Sequence, residues 1–153
     1  MPVQTTFPET MKQGVPGMIN RMVDFNTVSR NCATAAGIPA GRVVSQGTLD
    51  TDAVLGGTLV GALGISVLDP TLIVPYGGAP DTTPQYQQLS ILTKGEIFAV
   101  AAVAVAAGDP VHFIAADGTL TNTGGIGPIP GARWKYARAT IGDLNVIQFG
   151  IQR

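Results

Sequence analysis

Apolar residues in this chain are gathered into short runs, at 43–44, 59–68, 72–74, 89–92, 97–107, 111–116 and 146–151, and every gap between successive runs contains glycine or proline. Runs of that length between turn residues are the signature of strands. The stretch 94–123 shows the pattern most fully. It opens on Lys94-Gly95-Glu96-Ile97-Phe98, passes through an Ala/Val run and turns at Gly108-Asp109-Pro110. It then re-enters an apolar run at Val111-His112-Phe113-Ile114 and ends at Asp117-Gly118-Thr119-Leu120. Proline fixes φ and cannot donate to a ladder, which places Pro110 at the start of a strand. Asp-Gly is a strong hairpin signal. The stretch predicts strand, tight turn, strand, hairpin and short strand. Within 97–107 alanine favours helix, whereas the valines and flanking Gly/Pro favour strand. A bulge near Ala101 and Ala102 would keep Phe98 and Val100 on the same core as Val103 and Val105.

The first 35 residues read differently. Pro2, Pro8, Gly14, Pro16 and Gly17 break any long helix, yet Val15, Met18, Ile19, Met22, Val23, Phe25 and Val28 are apolar. This predicts an extended strap lying on this chain's own core or on a neighbouring subunit. Its candidate interface residues are Val15, Pro16, Met18, Ile19, Arg21, Met22 and Phe25. A short amphipathic helix over 18–28 is the alternative, because positions 18, 19, 22 and 25 fit the helical period for two turns. From 36 to 153 the chain is a succession of short strands and Gly/Pro turns. Leu72, Ile73 and Val74 suggest one strand. Trp134 and Tyr136 alternate with Arg133 and Lys135, and Ile147, Phe149 and Ile151 share one face. The organisation predicted is an N-terminal arm (1–35) on a mainly β domain (36–153), an all-β barrel or sandwich.

Composition sharpens this. Charged residues are 12% of the chain against roughly 25% in ordinary soluble domains, and the mean hydropathy is +0.29. The apolar run 97–107 falls short of the ~20 residues that cross a bilayer. The pattern therefore points to a surface covered by a partner rather than to a membrane. The start lacks the basic and apolar regions of a secretory signal. A single cysteine, Cys32, excludes an internal disulfide. Net charge is −1. The acidic residues fall mostly in the middle of the chain, at Asp50, Asp52, Asp69, Asp81, Glu96, Asp109 and Asp117, and the two ends are mildly basic. That is too little for a nucleic-acid footprint, which needs clustered Lys/Arg.

Candidate chemistry is sparse. His112 is the one histidine and sits in a strand run. No His/Cys spacing suits zinc. Asp50 and Asp52 lack the glycine and glutamate offsets of a calcium loop. Gly124-Gly125-Ile126-Gly127 is followed by prolines rather than by a helix, which disfavours a phosphate cradle. Trp134 and Tyr136 beside Arg133 and Lys135 read as a core-facing aromatic pair with solvated basic neighbours, in preference to a stacking strip for single-stranded nucleic acid. No catalytic, cofactor or metal site is expected.

Several short motifs together carry a resemblance. They are Gly17-Met18-Ile19 in the proline-rich arm, Ile38-Pro39-Ala40-Gly41-Arg42-Val43-Val44, Ala107-Gly108-Asp109-Pro110-Val111, and Asp117-Gly118-Thr119-Leu120. The ending from Pro130-Gly131-Ala132-Arg133-Trp134 through Gly142-Asp143-Leu144 to Val146 completes the set. The chain resembles the capsid cement (decoration) proteins of tailed bacteriophages over most of its length. The resemblance implies a small β-barrel or β-tulip-like core, homotrimers, and attachment to the major capsid protein outside a head assembled in the host cytoplasm. It implies no enzyme activity and no direct nucleic-acid or membrane partner. A carbohydrate- or receptor-binding appendage of a virion is the alternative. It would require exposed aromatics, and aromatic residues are only 6%.

Overall fold

The computed structural model describes residues 14–72 and 77–150. Among these the chain forms eleven strands and no helix: β1 (Asn26–Cys32), β2 (Ile38–Pro39), β3 (Val43–Gln46), β4 (Asp52–Leu55), β5 (Ala62–Ser66), β6 (Thr82–Thr83), β7 (Gln88–Val100), β8 (His112–Phe113), β9 (Leu120–Thr121), β10 (Ala132–Trp134) and β11 (Leu144–Phe149). Strands β4, β3, β5 and β7 pair antiparallel in that order. β1 closes the ring, parallel to β4 on one edge and antiparallel to β7 on the other. The result is a closed five-stranded barrel, which removes the unpaired edges an open sheet would expose.

β7 organises the molecule. Its first half, through Lys94, is a stave of the barrel against β1 and β5. Its second half, from Gly95 to Val100, pairs with β11, which in turn pairs with β10. Consecutive residues on the shared strands face different cores. Val44 and Ile91 join Cys32, Ile38, Ala53 and Leu89 in a small cluster. Their neighbours Val43 and Leu92 join Ile65, Ile97, Phe113, Leu120, Trp134 and Ile147 in a larger one. This is the period-2 alternation of a sheet buried on both faces.

The Asp-Gly hairpin forms where expected. β8 pairs with β9, and Asp117 Oδ1 accepts from Thr119 N at 3.0 Å. Gly118 takes φ +64°, a left-handed conformation that glycine adopts without steric cost. A Cβ there would meet Val43 O at 2.4 Å, so the turn lies directly on the edge of β3.

Four expectations are corrected. Residues 18–28 do not form a helix: the arm-root amides of Gly17 and Asn20 donate to β7 carbonyls, and 26–28 begin β1. β1 itself falls inside the stretch read as arm and is a barrel stave. No phase change occurs after β7: Ile97, Ala99, Ala101 and Val105 are all buried, whereas Phe98 lies on the other face, beneath Gly14 and beside Met18. The arm supplies the cover that a bulge was expected to make unnecessary. β10 ends at Trp134, so Trp134 is buried while Tyr136 turns out to solvent. Of the strand expected at 72–74, Ile73 and Val74 lie outside the described residues, as do Ile151 and residues 1–13 of the arm.

Candidate interaction surface

The residues with chemical potential are dispersed. Cys32 is fully buried, and burial pushes its thiol up from its ordinary value. His112 is half-buried and packs against the backbone at Gly127. Asp50 is exposed at the tip of the β3–β4 hairpin and Asp52 begins β4. Trp134 donates from its ring nitrogen to Thr121 O at 3.5 Å inside the core, while Lys135 and Arg138 lie 5.5 and 5.7 Å from the Tyr136 ring centre. The two aromatics therefore make no common stacking face. Among the described residues no three His, Cys, Asp or Glu side chains are grouped to hold a metal.

The arm root is the most specifically built surface feature. Gly17 N donates to Phe98 O at 2.8 Å, Phe98 N to Met18 O at 2.9 Å, and Asn20 N to Glu96 O at 2.9 Å. Ile19 bridges Ile97 antiparallel, and Leu68 N donates to Gly17 O at 2.8 Å. The arm thus inserts as a short extra strand between β7 and the segment after β5. Gly17 is buried with φ +82°, and a Cβ there would stand 2.6 Å from the Ala40 Cβ and 2.9 Å from Leu68 N.

A buried ionic cluster, which the sequence did not reveal, lies under the arm. Glu96 is 2% exposed. Lys135 Nζ donates to both of its carboxylate oxygens at 2.9 Å. Gln148 Nε2 donates to Oε1 at 2.9 Å, and Asn20 Nδ2 donates to Oε2 at 2.8 Å. Burial raises the Glu96 carboxyl, but hydrogen bonds from Gln148, Lys135 and Asn20 and the Lys135 charge outweigh it. The group is held below its ordinary 4.5. Lys135 is held above its ordinary 10.5, chiefly by its hydrogen bond to Glu96. The one available signal was a carboxylate set in an apolar strand run. Its partners come from positions 20, 135 and 148, too far along the chain to be read locally.

The seven interface candidates separate into two groups. Ile19 packs on the larger core, and Met18 is half-buried beside Gly14. Val15, Pro16, Arg21, Met22 and Phe25 are exposed, Met22 at 95%. Beside the arm root opens a cleft of about 300 Å³, walled by Pro16, Pro39, Arg42, Pro80, Asp81 and Val100. Elsewhere Leu49 and the fully exposed Val60 lie on loops joined by Gln46, whose amide groups reach Leu49 O and Gly61 O. Tyr86, 82% exposed, flanks the end of β1. These exposed apolar side chains lie at separate places along the chain.

Residues 3–150 match the family described as structural cement protein (E217 gp24/Pam3 gp6). Among solved structures, a chain in "The capsid of Myoviridae Phage XM1" has the same fold, with a TM-score of 0.71, 14% identity and 97% of each chain covered. The head fiber gp8.5 N base of bacteriophage phi29 aligns with a TM-score of 0.45 and 13% identity, over 85% of this chain and 100% of that one. No curated protein matches the chain. The family match runs through the arm, the barrel and β11 alike, and this chain belongs to the phage structural cement proteins.

Proposed function

We propose that this capsid protein sits on the outside of a phage head as a homotrimer and stabilises the lattice by bridging neighbouring major capsid protein subunits. We place the arm at the contact. The observation that carries this reading is the split within the arm. Ile19 and the backbone of 17–20 are spent on the barrel, while Val15, Met22 and Phe25 are held outward on a fixed root. Burying side chains of that size contributes about 1.5–3 kcal/mol each at full burial, less the cost of association. The role is structural rather than catalytic, consistent with the dispersal of His112, Cys32 and Asp50 and with the family. The carbohydrate-binding alternative is disfavoured because Trp134 is buried and Tyr86 and Tyr136 sit on separate loops.

The test is co-sedimentation with heads lacking this protein, using the full chain and Met22→Ser/Phe25→Ser. The substituted protein is expected to keep its melting temperature and bind at least tenfold more weakly. Equal binding by both proteins would remove the arm from the contact.

A further inference from the structure

We propose that Glu96 is the latch that fixes the arm root on the barrel, and so sets where the outward face of the arm is presented. Given the reading of the arm as the capsid contact, Glu96 is a positioning residue that acts through Asn20.

The geometry is one-sided in its chemistry. Each group that reaches the Glu96 carboxylate is a donor: the Lys135 ammonium, the Gln148 amide and the Asn20 amide. Asn20 cannot reverse its amide without loss, because its Oδ1 already accepts from Met22 N at 3.3 Å. Its backbone N–H donates to the Glu96 carbonyl as well, so one residue of β7 grips one residue of the arm twice. A carboxylate can accept all of these bonds. A protonated carboxyl, or the amide of glutamine, has to point a donor at a donor, and the lysine cannot adapt.

The charged groups around the latch are few. The loop after β10 contributes Lys135, with Tyr136 and Arg138 beyond it. β11 contributes the neutral Gln148 and the arm the neutral Asn20. On β7 itself Lys94 is paired with Asp24 at 2.9 Å in solvent. Glu96 is therefore the buried acid whose charge the arm root feels.

The experiment is amide hydrogen exchange on the full chain, expressed as protection relative to the unfolded rate. At pH 7 the amides of Gly17 and Phe98 are expected to be protected. Asn20→Ala, which leaves the buried Glu96–Lys135 pair intact, should lower that protection about tenfold, the worth of one hydrogen bond to a charged group. Amides of β3 and β5 should keep theirs. In the unmodified protein the same local loss should appear below pH 4.5, and should persist in Asp24→Asn, which excludes the exposed pair as its cause. Glu96→Gln should show the loss at neutral pH. If Asn20→Ala leaves Gly17 and Phe98 fully protected, the latch is wrong, and that readout survives even where Glu96→Gln fails to fold. Capsid binding is scored separately. Lost protection with undiminished binding keeps the latch and overturns the arm as the contact.

Discussion

Gly17 shows how tightly single positions are specified. It lies between the backbones of Phe98 and Leu68 in a left-handed conformation, with the Ala40 methyl occupying the place of any side chain. Gly17→Ala combines left-handed strain with overpacking, and is expected to cost about 2–3 kcal/mol in urea denaturation. A loss below about 0.5 kcal/mol would mean that the arm root is not bound as described. Lys135 is the second such position. Lys135→Met strands a buried carboxylate, at an expected cost of about 3–5 kcal/mol near neutral pH. The pH dependence follows from the two shifts. Glu96 is depressed, so its contribution is complete above 4.5 and is lost as pH falls through its lower folded value. Lys135 is raised, so its contribution is complete below 10.5 and is lost as pH rises through its higher folded value. Melting temperature against pH should show a plateau between these limits in the native protein. In Lys135→Met the acid-side fall should be reduced or reversed. By contrast, His112→Ala should leave capsid attachment unchanged and cost about 1 kcal/mol, because the ring is half-buried and serves packing.

At the level of elements, β1 marks where the arm ends and the barrel begins. Its pairing with β7 runs from Asn26 to Asn31. A chain beginning at Asn26 should melt cooperatively, at a lower temperature than the full protein because Phe98 loses its cover. A chain beginning at Asn31 removes most of a stave and should not fold. Circular dichroism melts of the two truncations would check this. β1 was illegible in the sequence for a physical reason. Its inward set is Val28, Arg30 and Cys32, and its other positions are polar, so no hydrophobic alternation announces it. Its partners lie about twenty residues away in β4 and sixty in β7. β11 was legible because Ile147 and Phe149 keep period 2 against the core. The Asp117-Gly118 hairpin was legible because turn chemistry is local. Val15, Met18, Ile19, Met22 and Phe25 are apolar in the sequence alike, but which of them the barrel takes for itself depends on β7, which no local window contains.

For the whole molecule, low charge and exposed apolar turns favour association. The free protein is expected to sediment as a trimer at micromolar concentration, and a monomer at that concentration would refute self-association off the capsid. The way the arm joins β7 has a mechanical consequence. The arm root and β11 flank the same half-strand, and the root's hydrogen bonds to Glu96 and Phe98 stand across the direction in which both segments run. Tension drawn along the arm therefore loads these bonds together in shear, and β7 passes the force directly into both cores. Tension drawn away from the surface opens them one at a time, like a zip. A protein fastened this way tolerates lateral stretching of whatever it is attached to far better than peeling. Expansion of a closed shell from within stretches its surface sideways.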